Sequence, residues 1–202
     1  MTCCCCAGDD RLQPAPDAPR REITAADAPA GCAFTLGHST RPIGDFIALL
    51  QAHRITQLLD VRTVPKSRHN PQFETGALAQ SLGGAGIAYA RAEGLGGFRR
   101  TSAASPNGGW RNASFRGYAD YMATPAFQAS LADAMALLNH QRVAFMCAEA
   151  VPWRCHRSLI ADALFVRGHV ACEIASATRL QPHRLTPFAR VDGLTITYPP
   201  EG

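Results

Sequence analysis

Apolar side chains along this chain come in short blocks that alternate between strand-like runs and helical spacing. Ala33-Phe34-Thr35-Leu36 is an apolar run stopped by Gly37-His38-Ser39, and Pro42 then opens a stretch in which Ile43, Phe46, Ile47 and Leu50 share one helical face. Ile55 to Val61 predicts a second strand, Thr75 to Leu82 a short helix closed by Gly83-Gly84, and Ile87 to Ala90 a third strand. Thr124-Pro125 supplies an N-cap and first-turn pair for a helix carrying Phe127, Leu131, Met135 and Leu138, ending near Asn139. Arg142 to Cys147 is almost uninterruptedly apolar, the signature of a strand buried on both faces of a parallel sheet, so it is the expected centre. Cys155 to Val166 predicts a helix and His169 to Ile174 a fifth strand. This order predicts an α/β fold: a three-layer-like, Rossmann-like sandwich whose mainly parallel sheet has about five strands joined by right-handed crossovers. The tail beyond Leu180 holds four prolines and one expected edge strand, Leu194 to Tyr198.

Composition narrows the class. With 47% hydrophobic and 18% charged residues the chain is neither wholly disordered nor, lacking a long apolar run, membrane-spanning. Residues 1–31 place Pro and Asp at intervals too short for a helix and read as a flexible leader, which leaves residues 32–202 as a single α/β domain. Cys3, Cys4, Cys5 and Cys6 are adjacent, unlike a spaced disulfide framework, and no basic segment followed by an apolar one marks a signal peptide. Cys32, Cys147, Cys155 and Cys172 sit in or beside apolar runs, as free thiols do in a reducing compartment, so the expected location is cytoplasmic, without a membrane partner. Residues 31–202 carry 17 basic against 11 acidic side chains, a net +6. Nineteen of the twenty basic residues are Arg, which fits a coding bias as well as a phosphate-binding surface, so charge alone names no partner. Residues 91–117 read as a long irregular loop with five Arg against Glu93, and Phe98-Arg99-Arg100, Trp110-Arg111 and Phe115-Arg116 interleave aromatics with Arg. That composition suits stacking on bases and touching phosphates, or a basic lid.

In an open parallel sheet, ligands bind outside the carboxyl ends of the strands, and there the polar residues gather. His38 and Ser39 follow the first strand; Asp60, Arg62, Lys66, Ser67 and Arg68 follow the second; Glu149, Cys155, His156 and Arg157 follow the fourth. At the start of a helix Cys155 is a candidate nucleophile beside His156, and Arg157 a candidate anion fork that Glu149 would otherwise neutralise. Glu149 and Asp60 are candidate proton carriers, although Asp60 and Arg62, two apart on one strand, could brace each other. His38 stands where metal or phosphate ligands often stand, but Cys147 and Cys155 are spaced too widely for a zinc clamp, and no metal is expected. Neither a Walker A loop nor a G-x-G-x-x-G turn follows any strand, which disfavours a P-loop or a dinucleotide fold and leaves the cofactor unknown.

Taken in order, Thr35-Leu36-Gly37-His38-Ser39, Asp60 to Arg68 with Phe73, Gly96-Gly97 after Leu95, Tyr118, and Cys147-Ala148-Glu149 leading to Cys155-His156-Arg157 resemble the bacterial family of domain of unknown function 488. The resemblance spans residues 34–174 and implies a cytosolic α/β domain with these motifs, Ser39 and Tyr118 included, clustered at one site. It implies no established reaction. The expectation is an enzyme holding a phosphate-bearing ligand, a nucleotide or nucleic-acid element, on Arg62, Ser67, Arg68 and Arg157, with Glu149 or Asp60 moving a proton. A non-catalytic nucleic-acid-binding module and a thiol redox or metal site on Cys147 and Cys155 are the alternatives; the oligomeric state is open.

Overall fold

The structure, a computed structural model, describes residue 24, residues 28–66 and residues 68–200. Almost all of the expected leader, with Cys3 to Cys6, and Ser67 lie outside the described residues. The chain forms β1 (Ala33–Gly37), α1 (Ile43–Ala52), β2 (Gln57–Asp60), α2 (Thr75–Gly84), β3 (Ala88–Arg91), α3 (Ala113–Met122), α4 (Pro125–Leu138), β4 (Val143–Cys147), α5 (Arg157–Phe165), β5 (Ala171–Ile174) and β6 (Leu180–Pro182), then a hairpin of β7 (Arg190–Asp192) and β8 (Thr195–Thr197).

The main sheet runs β3-β2-β4-β1-β5-β6, with its first five strands parallel and β6 antiparallel on the β5 edge. It is the mainly parallel α/β sandwich that the order of elements predicts, with helices on both faces. Alternation along each strand splits the core. Phe34, Leu36, Leu58, Ala144 and Met146 face α1 and α2 with Phe46, Leu50, Leu78 and Leu82. Ala33, Leu59, Val143 and Phe145 face the opposite layer, where Tyr118, Phe127, Leu131, Leu159 and Leu164 of α3, α4 and α5 pack. β4 is central and buried from Val143 to Met146. From β1 the chain moves to β2 on one side, and from β4 it moves to β5 on the other, so the carboxyl ends of β1, β2 and β4 open onto one crevice.

Three elements differ from the pattern reading. The loop over residues 91–117 contains the start of a real helix: Asn112 accepts from the Ser114 backbone N–H, and Tyr118, Ala119 and Met122 form the buried face of α3. Leu194 to Tyr198 does not add an edge strand to the main sheet; it pairs with Arg190–Asp192 in a separate hairpin that turns at Gly193, whose φ is +57°. Finally, α5 begins at Arg157, which leaves Cys155 and His156 just ahead of its first turn. Among the described residues no helix is long and apolar enough to cross a membrane.

Candidate active site at the strand ends

Two polar clusters occupy the crevice. The first is built on β2. Asp60, fully buried, accepts from the Arg62 backbone N–H at 3.0 Å, from Arg62 Nε at 2.8 Å, from Arg62 Nη2 and from the Tyr89 hydroxyl at 2.8 Å. Arg62 completes its fork by donating from Nη2 to the Phe73 carbonyl at 2.8 Å and from Nη1 to His38 Nε2 at 3.2 Å. His38 in turn donates from Nδ1 to the Ser39 carbonyl at 2.7 Å and stacks on Phe73 with ring centroids 4.1 Å apart. Both imidazole nitrogens are thereby assigned, and burial foremost, aided by the Arg62 charge, holds the His38 pKa down at about 4. Burial and the Asp60 charge push the Tyr89 hydroxyl up to about 12. This cluster has no spare lone pair on Asp60 and no free nitrogen on His38, so it braces β1, β2 and the Phe73 turn.

The second cluster lies across β4 and the approach to α5, and sulfur dominates it. Cys147 Sγ, Cys155 Sγ and a ring nitrogen of His156 all lie within 4.8 Å of one another. His156 Nε2 donates to the Val61 carbonyl at 3.0 Å; since a carbonyl only accepts, the Nδ1 lone pair is left facing Cys155 Sγ, 3.7 Å away. Arg157 Nε donates to the same sulfur at 3.4 Å. The Cys147 thiol, hydrogen-bonded to Cys155, lowers the Cys155 pKa; burial opposes that shift, while His156 and Arg157 reinforce it. The same hydrogen bond, with burial, pushes the Cys147 thiol up. Gly97 makes this geometry possible, because a Cβ there would lie 2.5 Å from His156 Nδ1.

Arg157 is wholly buried, and its partners differ from those the sequence suggests. Its carboxylate partner is Glu173 on β5, at 3.4 Å from Nη1 to each oxygen, while Glu149 contributes only its backbone carbonyl, 2.7 Å from Nη2. The expected Glu149–Arg157 ion pair is corrected accordingly: the Glu149 side chain is exposed, and its peptide is pressed on Gly37 so closely that a Cβ at Gly37 would lie 1.8 Å from the Glu149 oxygen. Glu173 also accepts from the Thr35 hydroxyl, and burial, opposed by Arg157, raises its pKa to about 7. Pattern reading missed Glu173 because it lies inside an apolar strand; an acid interrupting Ala171-Cys172-Ile174 was the available signal.

The sequence candidates thus separate. Cys155, His156, Arg157, Arg62, His38 and Asp60 come together at the crevice, and Tyr118 touches it by packing its ring 5.0 Å from the His156 ring while its hydroxyl donates to the Leu95 carbonyl at 2.9 Å. Ser39 holds the β1 turn at φ +51° with its N–H on the Ala148 carbonyl, and Arg68 is exposed. Two of the expected phosphate ligands, Arg62 and Arg157, are committed to Asp60 and to Glu173 with Cys155, because a guanidinium that far from solvent must be paired where it stands. A cavity of about 360 Å³ opens over the sulfur cluster, bordered by Cys147, Cys155, His156 and Arg154 and by the exposed side chains of Val64 and Phe98. Cys147, Cys155 and His156 are also the donors that could hold a soft metal ion. They leave a tetrahedral set one ligand short, and Arg157 already supplies positive charge at the Cys155 sulfur.

This chain belongs to the family described as domain of unknown function DUF488. The family's sequence model matches residues 42–164, from the start of α1 into α5, and so contains both clusters except the β1 residues and the turn after them, Thr35, His38 and Ser39, and Glu173 on β5. Searches of curated proteins and of solved structures gave no match.

Proposed function

We propose that the crevice is the active site of an enzyme in which the Cys155 thiolate is the nucleophile. The observation that carries this reading is the convergence of the Cys147 thiol, His156 Nδ1 and Arg157 Nε on one sulfur at the floor of a cavity. His156 takes the Cys155 proton, with the Val61 carbonyl holding its ring as the third member of a Cys–His–orienter set. Arg157 stabilises the resulting thiolate, and Glu173 holds Arg157 from behind.

The exposed Phe98 and Val64 offer an apolar wall, Arg154 stands at the rim, and the body carries a net +6, features that favour an organic anion such as a nucleotide or nucleic-acid element. The protein would work in a reducing bacterial cytoplasm, where Cys147 and Cys155 stay thiols.

The test is the pH profile of Cys155 alkylation by iodoacetamide on reduced, chelator-treated protein, read by peptide mass. Cys155 should react with a midpoint clearly below the ordinary thiol value of about 8.5, and His156→Gln should move that midpoint upward. An ordinary midpoint would remove the nucleophile. Thermal shifts with inorganic phosphate, nucleoside monophosphates and short oligonucleotides report the ligand class, and steeply salt-dependent binding without turnover would favour a nucleic-acid-binding module instead.

A further inference from the structure

The two thiols of the sulfur cluster differ in setting. Cys155 has His156 Nδ1 and Arg157 Nε on its sulfur, whereas Cys147, at the carboxyl end of β4, places its own sulfur within 4.8 Å of that one. Both border the same cavity. A nucleophilic sulfur bordering a cavity, with a second thiol beside it, is the arrangement in which oxidation of the first is completed by the second.

The chain contains an internal comparison. Cys32 and Cys172 also share a side-chain hydrogen bond, but they are buried in the apolar layer that faces α1 and α2 with Phe34 and Leu50, and neither borders the crevice cavity. Proximity of two thiols therefore occurs twice, and Cys172 borders a separate cavity of about 730 Å³; what sets Cys155 apart is that an imidazole nitrogen and a guanidinium N–H both meet its sulfur.

We propose that Cys155 is a site of reversible oxidation by hydroperoxides, with Cys147 as the resolving thiol, so that the nucleophile is switched off as a Cys147–Cys155 disulfide. The inference rests on the nucleophilic reading of Cys155. In the first step Cys155 Sγ attacks the distal oxygen of the hydroperoxide; an S–O bond forms, the O–O bond breaks, and the departing alkoxide leaves as an alcohol with the proton from His156. In the second, Cys147 gives its proton to His156 and its sulfur attacks Cys155 Sγ; the S–S bond forms, the S–O bond breaks, and hydroxide leaves as water with that proton. Two thiols lose two electrons, the hydroperoxide gains them, and an external thiol such as glutathione reverses the change by exchange. The sulfurs start within 4.8 Å and need a shift of under about 3 Å to reach bonding distance.

The experiment uses the reduced full chain, treated with stoichiometric hydrogen peroxide, blocked with N-ethylmaleimide and digested with trypsin without reduction. Cleavage after Arg142, Arg154 and Arg157 puts Cys147 and Cys155 on separate peptides, residues 143–154 and 155–157. The expected product is these two joined, 2 Da below their sum, released by dithiothreitol, and formed at least about tenfold faster than any loss of free Cys32 or Cys172. In Cys147→Ser the joined peptide should vanish and Cys155 should be trapped as a sulfenic acid by dimedone. Wild-type Cys155 that accumulates as sulfenic or sulfinic acid without the joined peptide would overturn the resolving role. Cys155 that alkylates rapidly yet resists peroxide would overturn the whole inference while leaving the nucleophile standing. A slow, ordinary alkylation profile would count against the nucleophile itself, so the two failures are told apart on the same samples.

Discussion

The clusters on β2 and on β4 stand at the same edge of the same sheet, and both contain a buried arginine, an acid and a histidine. They differ in how completely their polar atoms are used. On β2, Asp60 accepts four hydrogen bonds, Arg62 donates to three partners, and both nitrogens of His38 are engaged. Near α5, the Arg157–Glu173 contacts are long at 3.4 Å, the imidazole lone pair faces sulfur rather than a strong donor, and two thiols border open space. Saturation is what a brace requires, because every unpaired buried polar atom costs free energy. A reactive group needs the reverse: an electron pair left without a strong partner, at a place a ligand can enter.

The contrast can be broken most directly at Asp60. Asp60→Asn leaves the buried Arg62 without its counter-charge, which should cost about 3 to 5 kcal/mol and lower the thermal midpoint by at least about 6 °C. Cys155→Ser should lower it by less than half as much, because this near-isosteric change keeps a polar atom facing His156 and Arg157 and leaves the Arg157–Glu173 pair in place. Comparable losses in the two variants would erase the distinction between brace and site.

A smaller effect concerns pH. His38 is neutral in the fold with its pKa lowered to about 4, whereas in the unfolded chain it titrates near 6.5, so the unfolded state takes up the proton first as pH falls. Its contribution to stability is complete above pH 6.5 and is lost as pH drops toward 4, a total of about 3 kcal/mol. Urea unfolding at pH 7.5 and 4.5 should therefore show a larger acid loss in wild type than in His38→Gln. Equal losses would mean that His38 takes up a proton in place and that its bond with Arg62 is not the neutral contact described.

The smallest effect sharpens the reactive side. In Gly97→Ala the new Cβ meets His156 Nδ1 and must displace the ring, since the Val61 carbonyl holds its other end. Alkylation of Cys155 at pH 6 should slow about tenfold while the thermal midpoint hardly moves. An unchanged rate would take His156 out of the thiolate's setting.

Much was legible in the linear pattern, and for an identifiable reason. Strand and helix positions follow from periodicities within a few residues, so β1, α1, β4 and the Thr124-Pro125 start of α4 were readable, as was the rule that places polar residues at strand ends. The Asp60–Arg62 pair was also within reach, because alternate residues of a strand share a face. Pairing across elements was not. Glu149 stands eight positions before Arg157 and looks like its partner, yet the turn after β4 packs its backbone on Gly37 and sends the side chain to solvent. Glu173, on β5 at the far side of β1 from β4, receives the guanidinium instead. The sequence by itself determined that β1, β2 and β4 end in polar residues, since element boundaries and side-chain chemistry are written locally. Only the tertiary structure decided which of them are spent on each other and which remain available, because that depends on distances of a few ångströms between β1, β2, β4, β5 and the start of α5, and burial makes each such distance decisive.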